Sequence, residues 1–230
     1  METNSCPVVR QSFELATLAE VCSIGSRKAP MLVYAFHGLG QLAYDFIAPF
    51  LLRPKQDGCT IVAPQAPNKY LRDPARGTEG ACWSSPGDTA AHRDAVNHYL
   101  DAVADEWEAA GAQVILFGFS QGGLTACRWA AHRTIPPAHI ILNSSTIPRS
   151  LASRGHLAER ITLIAGRSDP LITPELRAET IDRANELTSD LKVREFDGGH
   201  EVLPAVLDDI WQALLRPTPP VSGRLPPELT

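Results

Sequence analysis

Apolar residues along this chain gather in short runs at 31–36, 59–63, 114–117, 140–143, 161–165 and 193–196, bounded by polar or turn-forming residues. Most of the runs are continuous rather than alternating, and Val, Ile and Leu dominate them. That pattern predicts strands covered on both faces, as in a parallel sheet. Between the runs the period lengthens. Across 88–110, Val96, Tyr99, Leu100, Val103 and Trp107 form one stripe of a helix that Asp88 can cap and Gly111 can end. Further helices are predicted from just after Ser120 to about His132, after Pro174, and over a stretch burying Val202, Val206, Ile210, Trp211 and Leu214. Strands alternating with helices imply βαβ units with right-handed crossovers. The predicted class is α/β, with a mostly parallel central sheet and helices on both faces.

Two segments break this rhythm. Residues 64–87 hold many Pro and Gly residues and show no clear period, which predicts a long connection of the kind that tends to carry function. Residues 216–230 include Pro217, Pro219, Pro220, Pro226 and Pro227, which predicts an extended, flexible tail beyond a single domain at 1–215.

Composition narrows the class of partner. The chain has 230 residues, 44% hydrophobic and 20% charged, as in ordinary globular proteins. Its 21 Lys and Arg against 26 Asp and Glu leave a net charge of −5, so nucleic acid is not an expected partner. No apolar run reaches the roughly 18–20 residues that cross a bilayer. The opening residues Met1-Glu2-Thr3-Asn4-Ser5 lack the basic start and apolar stretch of a secretory signal. Cys6, Cys22, Cys59, Cys82 and Cys127 are odd in number and include no Cys-x-x-Cys pair. They imply neither a disulfide framework nor a zinc site, but free thiols in a cytoplasmic protein; no cofactor is expected. Whether two copies form a homodimer is left open.

The most informative stretch is Val114-Ile115-Leu116-Phe117-Gly118-Phe119-Ser120-Gln121-Gly122-Gly123. It reads as a strand, then Gly-x-Ser-x-Gly, then a helix. A serine at the tip of so sharp a turn is exposed and strained, and flanking glycines remove the Cβ atoms that would collide there. The helix N-terminus beside it favours the negative charge that develops in acyl transfer.

A nucleophilic serine needs a base, and the base needs an orienting acid. Asp169 follows the strand run 161–165, and His200 follows the run 193–196 across Gly198-Gly199, each at a strand's carboxyl end. Asp197 is a rival acid, but it would have to fold back across those two glycines. An oxyanion hole needs one backbone N–H from the residue after the nucleophile, here Gln121, and one from a loop after an earlier strand. The run 31–36 leads into His37-Gly38-Leu39-Gly40, where Leu39 is the natural second donor. The glycines there, Gly40 among them, let the backbone approach a substrate. His37 is expected to hold this loop rather than to move protons.

The set Phe36-His37-Gly38-Leu39-Gly40, Gly118-Phe119-Ser120-Gln121-Gly122-Gly123, Gly166-Arg167-Ser168-Asp169 and Gly198-Gly199-His200 resembles the phospholipase/carboxylesterase family of α/β-hydrolases, which includes the acyl-protein thioesterases. The likeness runs over about residues 29–215. It implies an α/β-hydrolase fold without a large lid domain. It also implies a metal-independent serine hydrolase acting on carboxylic esters or thioesters through an acyl-enzyme on Ser120. An apolar acyl groove is implied too, with Leu39 and Trp83 contributing. Two positions depart from the family: Gln41 stands where an aspartate is usual, and Ser84 and Ser85 follow Trp83 where an aromatic and an aspartate are usual. On the same scaffold, a carrier-protein thioesterase, a lactone hydrolase or a peptidase is also open, as is a binding protein that keeps the shape alone.

Overall fold

Strands covered on both faces have no polar side, and that is why the apolar runs are continuous. The computed structural model describes residues 18–52, 58–151 and 155–215. Its strands are β1 (Val21–Ile24), β2 (Met31–Phe36), β3 (Cys59–Pro64), β4 (Asn68–Asp73), β5 (Thr78–Cys82), β6 (Gln113–Phe119), β7 (His139–Asn143), β8 (Arg160–Gly166) and β9 (Asp190–Phe196). Its helices are α1 (Ala43–Ile47), α2 (Ala90–Trp107), α3 (Gln121–His132), α4 (Pro174–Leu187) and α5 (Pro204–Leu215). The proline-rich stretch 216–230 and Cys6 lie outside the described residues, as do the side chains of Ile210 and Leu214. Cys22, Cys59, Cys82 and Cys127 are free thiols.

The main sheet has the order β1-β3-β2-β6-β7-β8-β9. Every pairing in it is parallel except that of β1 with β3. Alternate residues of β2 serve opposite cores. Leu32, Tyr34 and Phe36 pack with Leu100 and Val103 of α2, Cys127 and Trp129 of α3, and Leu187 of α4. Val33 and Ala35 pack with Phe46 of α1 and with Val206, Leu207 and Trp211 of α5. The two-residue period of a strand thus puts helices on both faces. Burying each Leu or Phe contributes about 1.5–3 kcal/mol.

The structure differs from the sequence expectation beyond residue 63 in three places. The supposed loop at 64–87 holds an antiparallel hairpin, β4 paired with β5. Its first strand is exposed nearly throughout, so no apolar pattern marks it. The turn has ordinary chemistry, with Asp73 Oδ1 accepting from the amides of Ala75 and Arg76 at 3.1 and 3.3 Å and Gly77 at φ +63°. Helix α2 is capped at Thr89, not Asp88, because Asp88 instead accepts from the Ser85 amide and hydroxyl at 2.9 and 2.8 Å. It ends at Trp107, and Gly111 (φ +76°) belongs to the turn beyond.

Candidate active site

The carboxyl ends of β2, β6, β7, β8 and β9 lie side by side, so the loops leaving them share one rim. Between β6 and α3 the chain reverses at Ser120, whose φ of 53° and ψ of −121° are rarely adopted by a residue with a side chain. Such a conformation costs on the order of 1–3 kcal/mol and persists only when its surroundings hold it. They do so here: the Ser120 amide donates to Asn143 O at 3.0 Å, and Ser120 O accepts from the Gly123 amide at 3.0 Å and the Ser145 hydroxyl at 2.7 Å. A Cβ on Gly118 would lie 2.4 Å from Gly123 Cα, and one on Gly122 would lie 2.1 Å from Phe36 O. Only glycine fits at either place.

His200 reaches this serine. Its Nε2 lies 2.9 Å from Ser120 Oγ, and its Nδ1 lies 2.9 and 3.1 Å from the two oxygens of Asp169. Asp169 is buried, and Oδ1 also accepts from the amides of Leu171 and Ile172 at 2.8 and 3.2 Å. Burial alone would raise the carboxyl pKa, but the Leu171 amide and the His200 ring outweigh it, and the net shift is downward. An ionised Asp169 can only accept, which puts the ring proton on Nδ1 and leaves Nε2 free to accept from the Ser120 hydroxyl. The Phe119 ring packs on the imidazole with centroids 5.0 Å apart.

The loops that carry acid and base are tied to each other. Arg167 and Ser168 donate their amides to Phe196 O and Gly198 O at 2.9 and 3.0 Å. The rival acid, Asp197, pairs with Arg167, and its side chain is 90% exposed. It does not contact the histidine ring.

On the other side of Ser120 lies the loop after β2. His37 is fully buried, and its Nε2 accepts from the Ala66 amide at 3.1 Å, so the ring proton sits on Nδ1 and donates to Gly38 O at 2.8 Å. Burial lowers the His37 pKa, which keeps the ring neutral and structural. Gln41 Oε1 accepts from the Gly38 amide at 2.7 Å, and the Gly40 amide donates to Ala81 O at 2.8 Å. Gly40 sits at φ +77°. Among the described residues the Leu39 amide has no backbone acceptor, and the Gln121 amide opens α3 without an intrahelical one.

Trp83 does not line a groove. Its side chain is 1% exposed, and its indole N–H donates to His37 O at 2.9 Å. Its amide donates to Gln121 Oε1 at 2.8 Å, while Gln121 Nε2 donates to Ser84 O at 2.8 Å. One aromatic therefore joins the loop of Leu39 to the residue after Ser120. Of the positions that depart from the resemblance, Gln41 fastens the loop through its side chain, while Ser84 receives Gln121 through its backbone carbonyl. Sequence reading also passed over Asn143 and Ser145, which hold the Ser120 backbone. The signal was present: Asn143-Ser144-Ser145 is a polar triplet at the carboxyl end of an apolar strand. The exposed apolar side chains near the rim are Leu39 (59% exposed) and Leu171 (60%).

A hollow of about 960 Å³ opens by the amino ends of β6, β7 and β8, lined also by the ends of α2 and α3, and contains none of these residues. Among the described residues no helix is long and apolar enough to cross a membrane.

A parallel sheet wound in this order, with a serine at a strand-to-helix elbow, defines a class of fold. The chain belongs to the alpha/beta hydrolase family, whose model matches residues 32–229. Among solved structures it is similar to acyl-protein thioesterase 2 of Zea mays, at 20% identity and a TM-score of 0.67, covering 86% of this chain and 98% of that one. It is similar to esterase PE8, at 22% identity and a TM-score of 0.69, covering 86% and 98%. A phospholipase/carboxylesterase from Dyadobacter fermentans follows, at 19% identity and a TM-score of 0.63, covering 86% and 97%. No curated protein matches the sequence.

Proposed function

We propose that this protein is a cytoplasmic serine hydrolase of the phospholipase/carboxylesterase group, cleaving carboxylic esters or thioesters through an acyl-enzyme on Ser120. The observation that carries the reading is the unbroken chain of contacts from Asp169 through His200 to Ser120 Oγ, with 2.9 Å at each of its two closest steps. Neutral His200 takes the serine proton as Oγ attacks the carbonyl carbon, and Asp169 holds the imidazole and offsets the charge it gains. The tetrahedral oxyanion is bound by the Leu39 and Gln121 amides. The imidazolium then protonates the leaving alcohol or thiol. Water, activated by the same ring, attacks the acyl carbonyl and frees Ser120.

The similar structures, a thioesterase and esterases among them, support this substrate class. Leu39, whose amide is a proposed oxyanion donor, and Leu171, whose amide bonds Asp169, are exposed apolar side chains suited to contact an acyl chain. The experiment is labelling with an alkyl fluorophosphonate, located by mass spectrometry, beside turnover of an acyl-length panel of 4-nitrophenyl esters and thioesters. Label on Ser120 and loss of turnover by several orders of magnitude in Ser120→Ala are expected. Folded protein that takes no label would overturn the reading.

A further inference from the structure

The hairpin β4–β5 leans over the loop that carries Leu39, and its pairing is irregular at one point. Leu71 pairs with Glu79 and Asp73 with Thr78, so Arg72 is the extra residue of a β-bulge. Bulges re-aim a side chain and recur beside active sites. Here the Arg72 guanidinium is turned onto the loop, and Nη1 donates to Gly40 O at 3.1 Å. The backbone of Gly40 is the surface on which the hairpin rests: a Cβ there would lie 3.3 Å from both Arg72 Cδ and Tyr70 Oη. Gly40 is next in sequence to the proposed oxyanion donor, which places the guanidinium within roughly 10 Å of the reacting carbonyl, given ~3.8 Å per residue.

The charge on Arg72 is unmatched. Other cations of the hairpin and rim have carboxylate partners: Lys69 pairs with Glu20, Arg76 with Asp73, Arg167 with Glu195 and Asp197, and Arg177 with Glu195. Among the described residues no carboxylate lies within ion-pair distance of Arg72, whose one polar contact is the Gly40 carbonyl. A guanidinium carries five N–H donors in a planar fork suited to carboxylate or phosphate. The Tyr70 hydroxyl, over the same glycine, adds a donor of the kind such anions accept.

We infer that Arg72 and Tyr70 form an anion-binding subsite beside the oxyanion loop, so that the favoured substrate is an ester or thioester carrying a carboxylate or phosphate group. The inference rests on the hydrolase reading. It runs against the net charge of −5, which by itself disfavours anionic substrates.

The test compares esters matched in size but not in charge. Mono-4-nitrophenyl glutarate against 4-nitrophenyl valerate places the anion on the acyl side. 4-Acetoxybenzoate and 4-acetoxyphenyl phosphate, each against phenyl acetate, place a carboxylate or a phosphate on the leaving group. The wild-type protein is expected to favour the anionic member of at least one pair in kcat/KM. Arg72→Gln should lower that anionic-to-neutral ratio about five- to tenfold, with the loss in KM, as for one charge-assisted pair at a partly exposed site. Arg72→Lys should restore part of it, and added salt should shrink the preference. A ratio unmoved by Arg72→Gln, or a fall in kcat shared equally by neutral and anionic esters, would overturn the subsite and leave Arg72 as a prop for Gly40. Turnover of the neutral esters by the wild type reports separately on the hydrolase reading.

Discussion

Replacing Trp83 by Phe separates what the core requires from what the chemistry requires. The indole N–H is buried and donates to His37 O at 2.9 Å, so Phe leaves that carbonyl without its partner. An orphaned buried acceptor costs about 1–3 kcal/mol. The smaller ring also leaves a void beside Phe36, whose ring centroid lies 5.6 Å from that of Trp83, at a further cost of about 1–2 kcal/mol. Together these give about 2–5 kcal/mol, less than the stability of most domains, so the variant is expected to fold. The catalytic effect follows from what else holds the loop. The bonds from Ala66 to His37, from Gly38 to Gln41 and from Gly40 to Ala81 remain, so the Leu39 amide is loosened rather than lost. Removing an oxyanion donor outright costs about 10²–10³ in kcat. Loosening one is expected to cost about tenfold, or ~1.4 kcal/mol of transition-state binding. Urea unfolding gives the stability change, and saturation kinetics on 4-nitrophenyl butyrate give kcat. A stability loss of the stated size with kcat unchanged would refute the link between Trp83 and the oxyanion loop.

Three further expectations follow from the same geometry. Asp169→Asn should lower kcat by about 10³–10⁴ in steady-state assays, because an amide can no longer hold the ring proton on Nδ1; a loss of less than tenfold would count against its assigned role. Gly122→Ala should give little soluble protein, measured as yield and by circular dichroism, since the added methyl meets the Phe36 backbone at 2.1 Å; a stable, active variant would refute the packing. His139, buried by the sheet and near Arg160, has its pKa pushed down to about 3. The unfolded chain binds that proton below about pH 6.5 and the folded chain does not, so stability is retained above this pH and falls on acidification. The loss from pH 7 to pH 5 should be about 2 kcal/mol, and urea titrations of His139→Gln should show less of it; parallel curves would sink the assignment.

Much of the arrangement could be read from the chain because a parallel sheet writes itself as unbroken apolar runs. Ile140 to Asn143, for example, has helices on both sides and nothing polar to interrupt it. The serine elbow was legible because its glycines have no substitute. The hairpin at 68–82 was not, since its strand Asn68–Asp73 faces solvent and obeys no burial pattern. Strand β1 was missed for a related reason: at four residues, on the antiparallel edge, it carries too short a run to stand out. The place of Trp83 could not be read either. Whether a loop aromatic faces a ligand or the core depends on what the distant His37 carbonyl needs, and local sequence does not record that.

His200 hangs from β9, which forms one border of the sheet and pairs only with β8. The imidazole therefore depends on a strand held from one side only, while Ser120 depends on one locked between neighbours on both sides. On warming, a strand held from one side is expected to loosen before the interior, taking the base away from the nucleophile. Heat would thus silence the enzyme at a lower temperature than it melts the helices, and brief cooling would bring the activity back.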